Sequence, residues 1–303
     1  MSSPQSMAPS DWGWLIVLSI LWGGSFLFIG LAVKELPPLV IVFARVALAA
    51  AALLPVHLLT LGALPRDKHI WVSLLGMSLL NNVIPFTLIV NGQTMIASGL
   101  ASVINATAPL FGAIVLAASG DEPLIPRKLA GLAVGLVGVA VLKGADLTTL
   151  GGQTAGILLC LGAAASYGLS TLWVKRRLRG IAPLSLATGQ LMWSALIMAV
   201  LAFVFSTPSS LLQASPTAWL ALLGLSLLAT SLAYILFFRI VARSGPANVL
   251  LVTMLIPVSA ILFGHFILDE ELAAREIIGA LVIGAALVIF DGRLLSRLRQ
   301  NAA

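Results

Sequence analysis

The feature that most constrains this chain is a run of apolar stretches, each about as long as a bilayer's hydrocarbon core is thick, which takes roughly 20 residues of helix. Ten can be counted, near residues 12–33, 38–59, 70–93, 98–119, 126–143, 153–174, 183–206, 217–238, 246–268 and 274–292. In water such stretches would need a charged surface to cover them. Only 9% of the 303 residues are charged, against roughly 25% in a typical soluble domain. This excludes an ordinary cytosolic enzyme, a nucleic-acid-binding domain and a disordered regulator. Helices suit the stretches better than strands, because the apolar runs are continuous whereas membrane-barrel strands alternate. The joining loops are short and leave no room for a separate soluble domain.

The first eleven residues contain no Lys or Arg, so the basic start of a signal peptide is missing and the first stretch reads as helix 1. Cys160 is the only cysteine, which excludes an intramolecular disulfide. The formal charge of +6 suggests a polyanion partner only until its placement is considered. With both termini cytoplasmic, 13 of the 17 Lys and Arg residues fall on the cytoplasmic side. Lys34, Lys143 and Arg275 fall on the other side, and Arg45 lies inside helix 2. That split follows the positive-inside rule. Trp12, Trp14, Trp71 and Trp219 fall at helix starts, where interfacial anchors belong.

Shifted by 148 residues, the chain matches itself. Leu75, Gly76, Ser78, Leu79 and Leu80 fall on Leu223, Gly224, Ser226, Leu227 and Leu228. Pro109 falls on Pro257, Asp121-Glu122 on Asp269-Glu270, Arg127 on Arg275 and Gly131 on Gly279. The repeats are expected at 12–147 and 148–292, with cytoplasmic tails at 1–11 and 293–303. Each holds five helices, an odd number, so the second enters the membrane upside down. The expected fold is therefore an all-α membrane protein of ten transmembrane helices in two inverted five-helix repeats, an architecture of transporters.

These features resemble the drug/metabolite transporter superfamily, specifically its EamA-type ten-helix members. The likeness rests on Pro109, Asp121-Glu122, Arg127 and Gly131 with their second-half counterparts. Leu21-Trp22-Gly23-Gly24-Ser25-Phe26 and Phe43-Ala44-Arg45 carry it further. The resemblance implies a carrier of the bacterial inner membrane, often an exporter of amino acids or other small metabolites; its nearest look is the YddG-like amino-acid exporters. It identifies the family far better than the substrate. Helix 7 departs from helix 2, with Gln190 near the position that matches Arg45.

Carriers of this architecture bind substrate near the midplane, where polar groups need a partner. Candidate substrate-binding residues are Trp22, Ser25, Asn82, Asn105, Tyr167, Ser170, Trp173 and Tyr234. The two tyrosines, the only ones in the chain, fall mid-span rather than at the interface; each hydroxyl meets either a cavity or a neighbouring helix. Many of the Ser and Thr hydroxyls are expected to bond their own helix backbone. Pro85 and Pro109 free the carbonyls of Asn81 and Asn105, so these prolines, with Pro257, are read as kinks that shape the pocket and serve as hinges. Arg45 either binds a substrate carboxylate, holds helix carbonyls or snorkels outward. The resemblance favours the structural role, since the family carries arginine here across many substrates.

All eleven Asp and Glu residues fall at helix ends or in loops. Proton relays generally use acids or histidines within the spans, so transport is expected to run without a buried carboxylate proton carrier. The same absence argues against a metal site and against a choline-like cation. No cofactor is expected. The expected partners are a small-molecule substrate and the lipid bilayer, with no nucleic acid, in a monomer or weak homodimer. The function read here is export of small metabolites, most of all aromatic or other neutral amino acids, by alternating access. Lipophilic drugs or nucleotide precursors are the alternative. An intramembrane enzyme would need a nucleophile or metal constellation that the motifs do not show, and a channel would need a pore-lining filter.

Overall fold

The computed structural model describes residues 9–143, 152–244 and 251–291. The expected tails, the junction between the expected repeats and the first residues of the ninth apolar stretch lie wholly or partly outside these. Among the described residues there are helices and turns and no strand. The rods are α1 (Pro9–Ala32), α2 (Pro38–Leu61), α3 (Lys68–Gln93), α4 (Ser98–Ala118), α5 (Pro126–Lys143), α6 (Gly152–Arg177), α7 (Pro183–Phe205), α8 (Pro216–Ser244), α9 (Val252–Leu268) and α10 (Ala274–Asp291).

Local chemistry sets the ends. Pro38, Pro183 and Pro216 open their helices, where a missing N–H costs nothing and the ring's fixed φ suits the first turn. Asp67 caps α3 by accepting from His69 N–H at 2.8 Å, and Ser215 caps α8 by accepting from Ala218 N–H at 3.2 Å. Glu35, from the α1–α2 turn, in turn accepts from the Ser215 hydroxyl at 2.6 Å.

Seven rods, α1–α4 and α6–α8, are by length and composition able to cross a membrane. The sequence reading expects ten. α9 is apolar but shorter over its described part. α5 and α10 are 18 residues each and carry charges at their ends: Arg127, Lys128 and Lys143 in one, Arg275, Glu276 and Asp291 in the other.

The rods pack in a regular scheme. α1 lies on α8 and α9, α6 lies on α3 and α4, α2 pairs with α7, and α5 pairs with α10. Small residues permit the close approaches. A Cβ on Gly138 of α5 would meet the Ile283 backbone nitrogen at 3.0 Å, and one on Gly279 of α10 would meet that of Leu142 at the same distance. Both glycines therefore serve packing within the chain. Side chains that face lipid in such a bundle are apolar, as exposed Leu136, Val200, Phe203 and Leu281 are.

Three expected kinks behave differently. Residues 79–83 of α3, just before Pro85, run as a π-helix. α4 breaks into a turn at Ala106-Thr107, and Pro109 restarts it. Pro257 sits inside α9 without interrupting it.

Candidate functional site

The centre of the bundle is polar, and α3 supplies its middle. In its π-helical turn the Ile84 N–H donates to the Leu79 carbonyl five residues back. Pro85 follows, and the widened turn accommodates a ring that has no N–H to give. Asn82, fully buried, donates through Nδ2 to Ser194 Oγ of α7 at 3.0 Å and accepts from the Tyr234 hydroxyl of α8 at 3.0 Å. Asn81 donates to Gln190 Oε1 at 3.2 Å and to the Tyr234 oxygen at 3.3 Å, and accepts from Ser170 Oγ of α6 at 3.4 Å. Four helices thus meet through two adjacent asparagines.

α8 mirrors this. Its residues Gly224–Leu232 also run as a π-helix. The 148-residue shift carries the α3 turn to 227–231, inside that stretch. The opened backbone is covered by side chains: Thr230 Oγ1 donates to the Leu225 carbonyl at 2.8 Å and Ser231 Oγ to that of Ser226 at 3.0 Å. Thr230 also accepts from Arg45 Nε at 3.0 Å. The guanidinium carbon of Arg45 stands 3.6 Å from the centre of the Phe86 ring.

An aromatic file leads away from the asparagines. Phe238 lies 6.2 Å from Tyr234, Phe237 lies 5.1 Å from Phe238, and Trp22 of α1 lies 5.5 Å from Phe237, centre to centre. These rings are half-buried. Half-buried Tyr167 lies on α6, and its hydroxyl makes no hydrogen bond to any described residue.

Asn82, Tyr234 and Ser170 therefore come together, with Trp22 at the far end of the aromatic file. The others do not join them. The Ser25 hydroxyl donates to the Trp22 carbonyl of its own helix at 2.6 Å. Trp173 packs on Gly76, donates to the Ser73 carbonyl at 2.8 Å, and lines a cleft of about 330 Å³ with Leu80, Leu169 and Arg177. Asn105 stands at the break in α4, and its buried Oδ1 has no partner among the described residues. Gln190, Ser194, Phe86 and the Phe237-Phe238 pair were not singled out as site residues from the sequence. Gln190 had a visible signal, being an amide in the middle of an apolar stretch.

Charged groups cluster at the helix ends. At the end of α4, Asp121 pairs with Arg176 at 2.7 Å, and Glu122 pairs with Lys175 at 3.1 Å and Lys128 at 3.5 Å. The Ser119 hydroxyl first, then Arg176, holds the Asp121 carboxyl below its ordinary range. Lys175 does the same for Glu122. Glu270 does something else: it reaches back over α4, accepting from Ser98 N–H at 2.8 Å and Gly99 N–H at 3.3 Å. Among the described residues no group of three His, Cys, Asp or Glu side chains is placed to hold a metal ion.

Membrane-length apolar rods around a polar, aromatic centre, with charge, Arg45 apart, kept to the ends, define a multi-pass membrane transporter. The chain belongs to the EamA-like transporter family, whose pattern matches residues 12–143 and again 154–290. It is a multi-pass inner-membrane protein. It is 26% identical over 271 residues to the uncharacterized transporter YoaV of Bacillus subtilis, covering 89% of this chain and 92% of that one. It is 27% identical over 293 residues to a probable amino-acid metabolite efflux pump of Salmonella typhimurium, covering 93% and 95%. A crystal structure of a protein 19% identical in sequence shares the fold, with a TM-score of 0.66 over 96% of this chain and 99% of that one.

Proposed function

We propose that this transporter exports small metabolites, chiefly aromatic or other neutral amino acids, by alternating access. The observation that carries the reading is the mid-bundle cluster of Asn81, Asn82, Gln190 and Tyr234 opening onto the Trp22–Phe237–Phe238 file. Such a site matches a substrate with one polar end and one apolar body. The relative named as an amino-acid metabolite efflux pump supports the substrate class. A lipophilic drug or nucleotide precursor remains the second reading, favoured by the length of the aromatic file.

Alternating access is supported by the two family matches and the pairing of α2 with α7 and α5 with α10. The bond that Arg45 of α2 donates to Thr230 of α8 has a positional counterpart in the one that Asn82 of α3 donates to Ser194 of α7. Two inverted five-helix repeats, 12–147 and 148–292, with both termini cytoplasmic, account for all of these. The described Asp and Glu residues stand at helix ends or in turns, which favours facilitated diffusion or exchange over coupling through a buried carboxylate.

Counterflow in proteoliposomes across the twenty amino acids tests the reading. Neutral and aromatic ones are expected to exchange with saturation, and Asn82→Ala is expected to lower that exchange at least about tenfold by stranding Tyr234 and Ser194. If no amino acid exchanges, the substrate assignment falls.

A further inference from the structure

Among the described residues Arg45 is the one ionic group in the middle of the bundle, and none of them neutralises it. It is 6% exposed. The ion pairs among the described residues all lie elsewhere, at helix ends. A guanidinium has five N–H donors; Arg45 commits one, through Nε, to the neutral Thr230 hydroxyl. Its two terminal nitrogens donate to no described residue. The Phe86 ring covers one face of the guanidinium. One neutral hydrogen bond and one cation–π contact return much less than a buried cation loses on leaving water.

The structural alternatives do not use these donors. No described helix carbonyl accepts from Arg45, and a group bonded to Thr230 and stacked on Phe86 in the bundle interior is not snorkelling to a surface. The surroundings point inward instead. Phe86 lies one turn beyond Asn82 on α3, and Tyr234 one turn beyond Thr230 on α8. Asn82 and Tyr234 are bonded to each other at 3.0 Å. The guanidinium, bonded to Thr230 and stacked on Phe86, is therefore held one turn from the Asn82–Tyr234 pair on each of two helices.

We propose that the terminal nitrogens of Arg45 anchor the carboxylate of the substrate, so that the transported class is the small monocarboxylate with an apolar or aromatic body. This rests on the reading of the cluster as the substrate site and narrows it. A planar fork fits a carboxylate with two parallel hydrogen bonds. The arriving anion completes an ion pair that the empty protein lacks, which makes binding strong for a site otherwise built of neutral groups. What faces the rest of the substrate is neutral: the amides of Asn81 and Asn82, the hydroxyl of Tyr234, and the aromatic file. An α-ammonium group meets hydrogen-bond acceptors there but no carboxylate. The carboxylate is then essential and the amine dispensable.

The test uses the full chain in proteoliposomes, measuring inhibition of labelled phenylalanine counterflow, together with ligand-induced thermal shifts in detergent. The probes are phenylalanine, hydrocinnamate (no amine), phenylalaninamide (no carboxylate) and phenethylamine (neither carboxylate nor amide). Hydrocinnamate is expected to act within about tenfold of phenylalanine, and the two carboxylate-free probes about 100-fold more weakly. Arg45→Gln is expected to collapse the preference for hydrocinnamate over phenylalaninamide to about threefold or less, and Arg45→Lys to retain part of it. If Arg45→Gln does not fold, the wild-type series and Arg45→Lys decide. Equal action of acid and amide on the wild type, or an unchanged preference in a folded Arg45→Gln, overturns the proposal. So does the absence of any thermal shift from every monocarboxylate. If hydrocinnamate binds but no amino acid exchanges, the anchor stands and the amino-acid reading fails. If amino acids exchange without regard to the carboxylate, the reverse holds.

Discussion

Asp121-Glu122 and Asp269-Glu270 occupy matching places in the two halves of the chain, yet their carboxylates are used differently. The first pair is neutralised by side chains, Arg176 on Asp121 and Lys175 with Lys128 on Glu122, in partly exposed contacts. In the second, Glu270 takes two backbone N–H groups at the start of α4. Backbone geometry explains part of this. α4 leaves its last turn through left-handed Gly120 at φ 73°, one residue before Asp121. α9 leaves through Asp269 itself, at φ 55°, which an Asp tolerates better than most side chains. The acid that matches Asp121 is thus consumed by the turn, and its neighbour is aimed back across the bundle. Matching sequences stand in non-equivalent states, which is what the proposed alternating-access carrier would have with one end fastened and the other not.

This contrast can be broken experimentally. The largest effect is expected from Glu270→Gln. It removes a charged cap from a helix start, worth about 1–2 kcal/mol, and so shifts the fastened end toward opening by roughly 5–30-fold. Faster maleimide labelling of Ser98→Cys, in a background lacking Cys160, is the readout. Gly264→Ala tests the same contact sterically: a Cβ there would lie 2.5 Å from Glu270 Oε2. The carboxylate must yield, and labelling is expected to rise by part of the Glu270→Gln effect. Glu122→Gln should do less, changing transport by under about threefold, with the difference erased by 0.5 M salt, as for other screened surface pairs. Transport of equal amplitude loss in the two Gln variants would remove the distinction.

The smallest effect is on pH. Asp121 and Glu122 have carboxyls held below their ordinary range when folded. Their contribution is complete above the unfolded carboxylate value of about 4 and is lost as pH falls through the lowered folded values. Melting should therefore be insensitive to these groups from about pH 7 to 5 and fall below about pH 4. The Asp121→Asn, Glu122→Gln double variant is expected to flatten that acid limb slightly, whereas thermal melting of Glu270→Gln at neutral pH should already be reduced.

Much of the fold was legible because lipid enforces it. Long apolar stretches must close their backbone hydrogen bonds within themselves, and charges collect where water is. The site was legible where one residue is anomalous by itself: Asn82 and Tyr234 are costly in an apolar span, and each has its partners here. It was illegible where the role depends on a neighbour far along the chain. Gln190 meets Asn81 across 109 residues and Ser194 meets Asn82 across 112. Trp173 is legible as an aromatic deep in its stretch, but the missing side chain of Gly76 is what seats it on α3. The π-helical turns have no strong local signal; Pro85 marks the one in α3, and nothing comparable follows the one in α8.

Those turns carry a consequence for how the chain tolerates length changes. A π-helical turn holds a surplus residue, so a deletion within 79–83 can be absorbed by closing that turn toward the regular α-helical pitch. Each residue in such a helix accounts for about 100° of rotation. A deletion in a regular stretch would revolve one part of the span against the other by that much, whereas one absorbed by the wide turn would leave its two ends nearly in register and take away the room that Pro85 uses. Deletion scanning would then find α3 more tolerant of a lost residue at 79–83 than in its regular turns, with transport lost there through the displaced asparagines while the span still inserts.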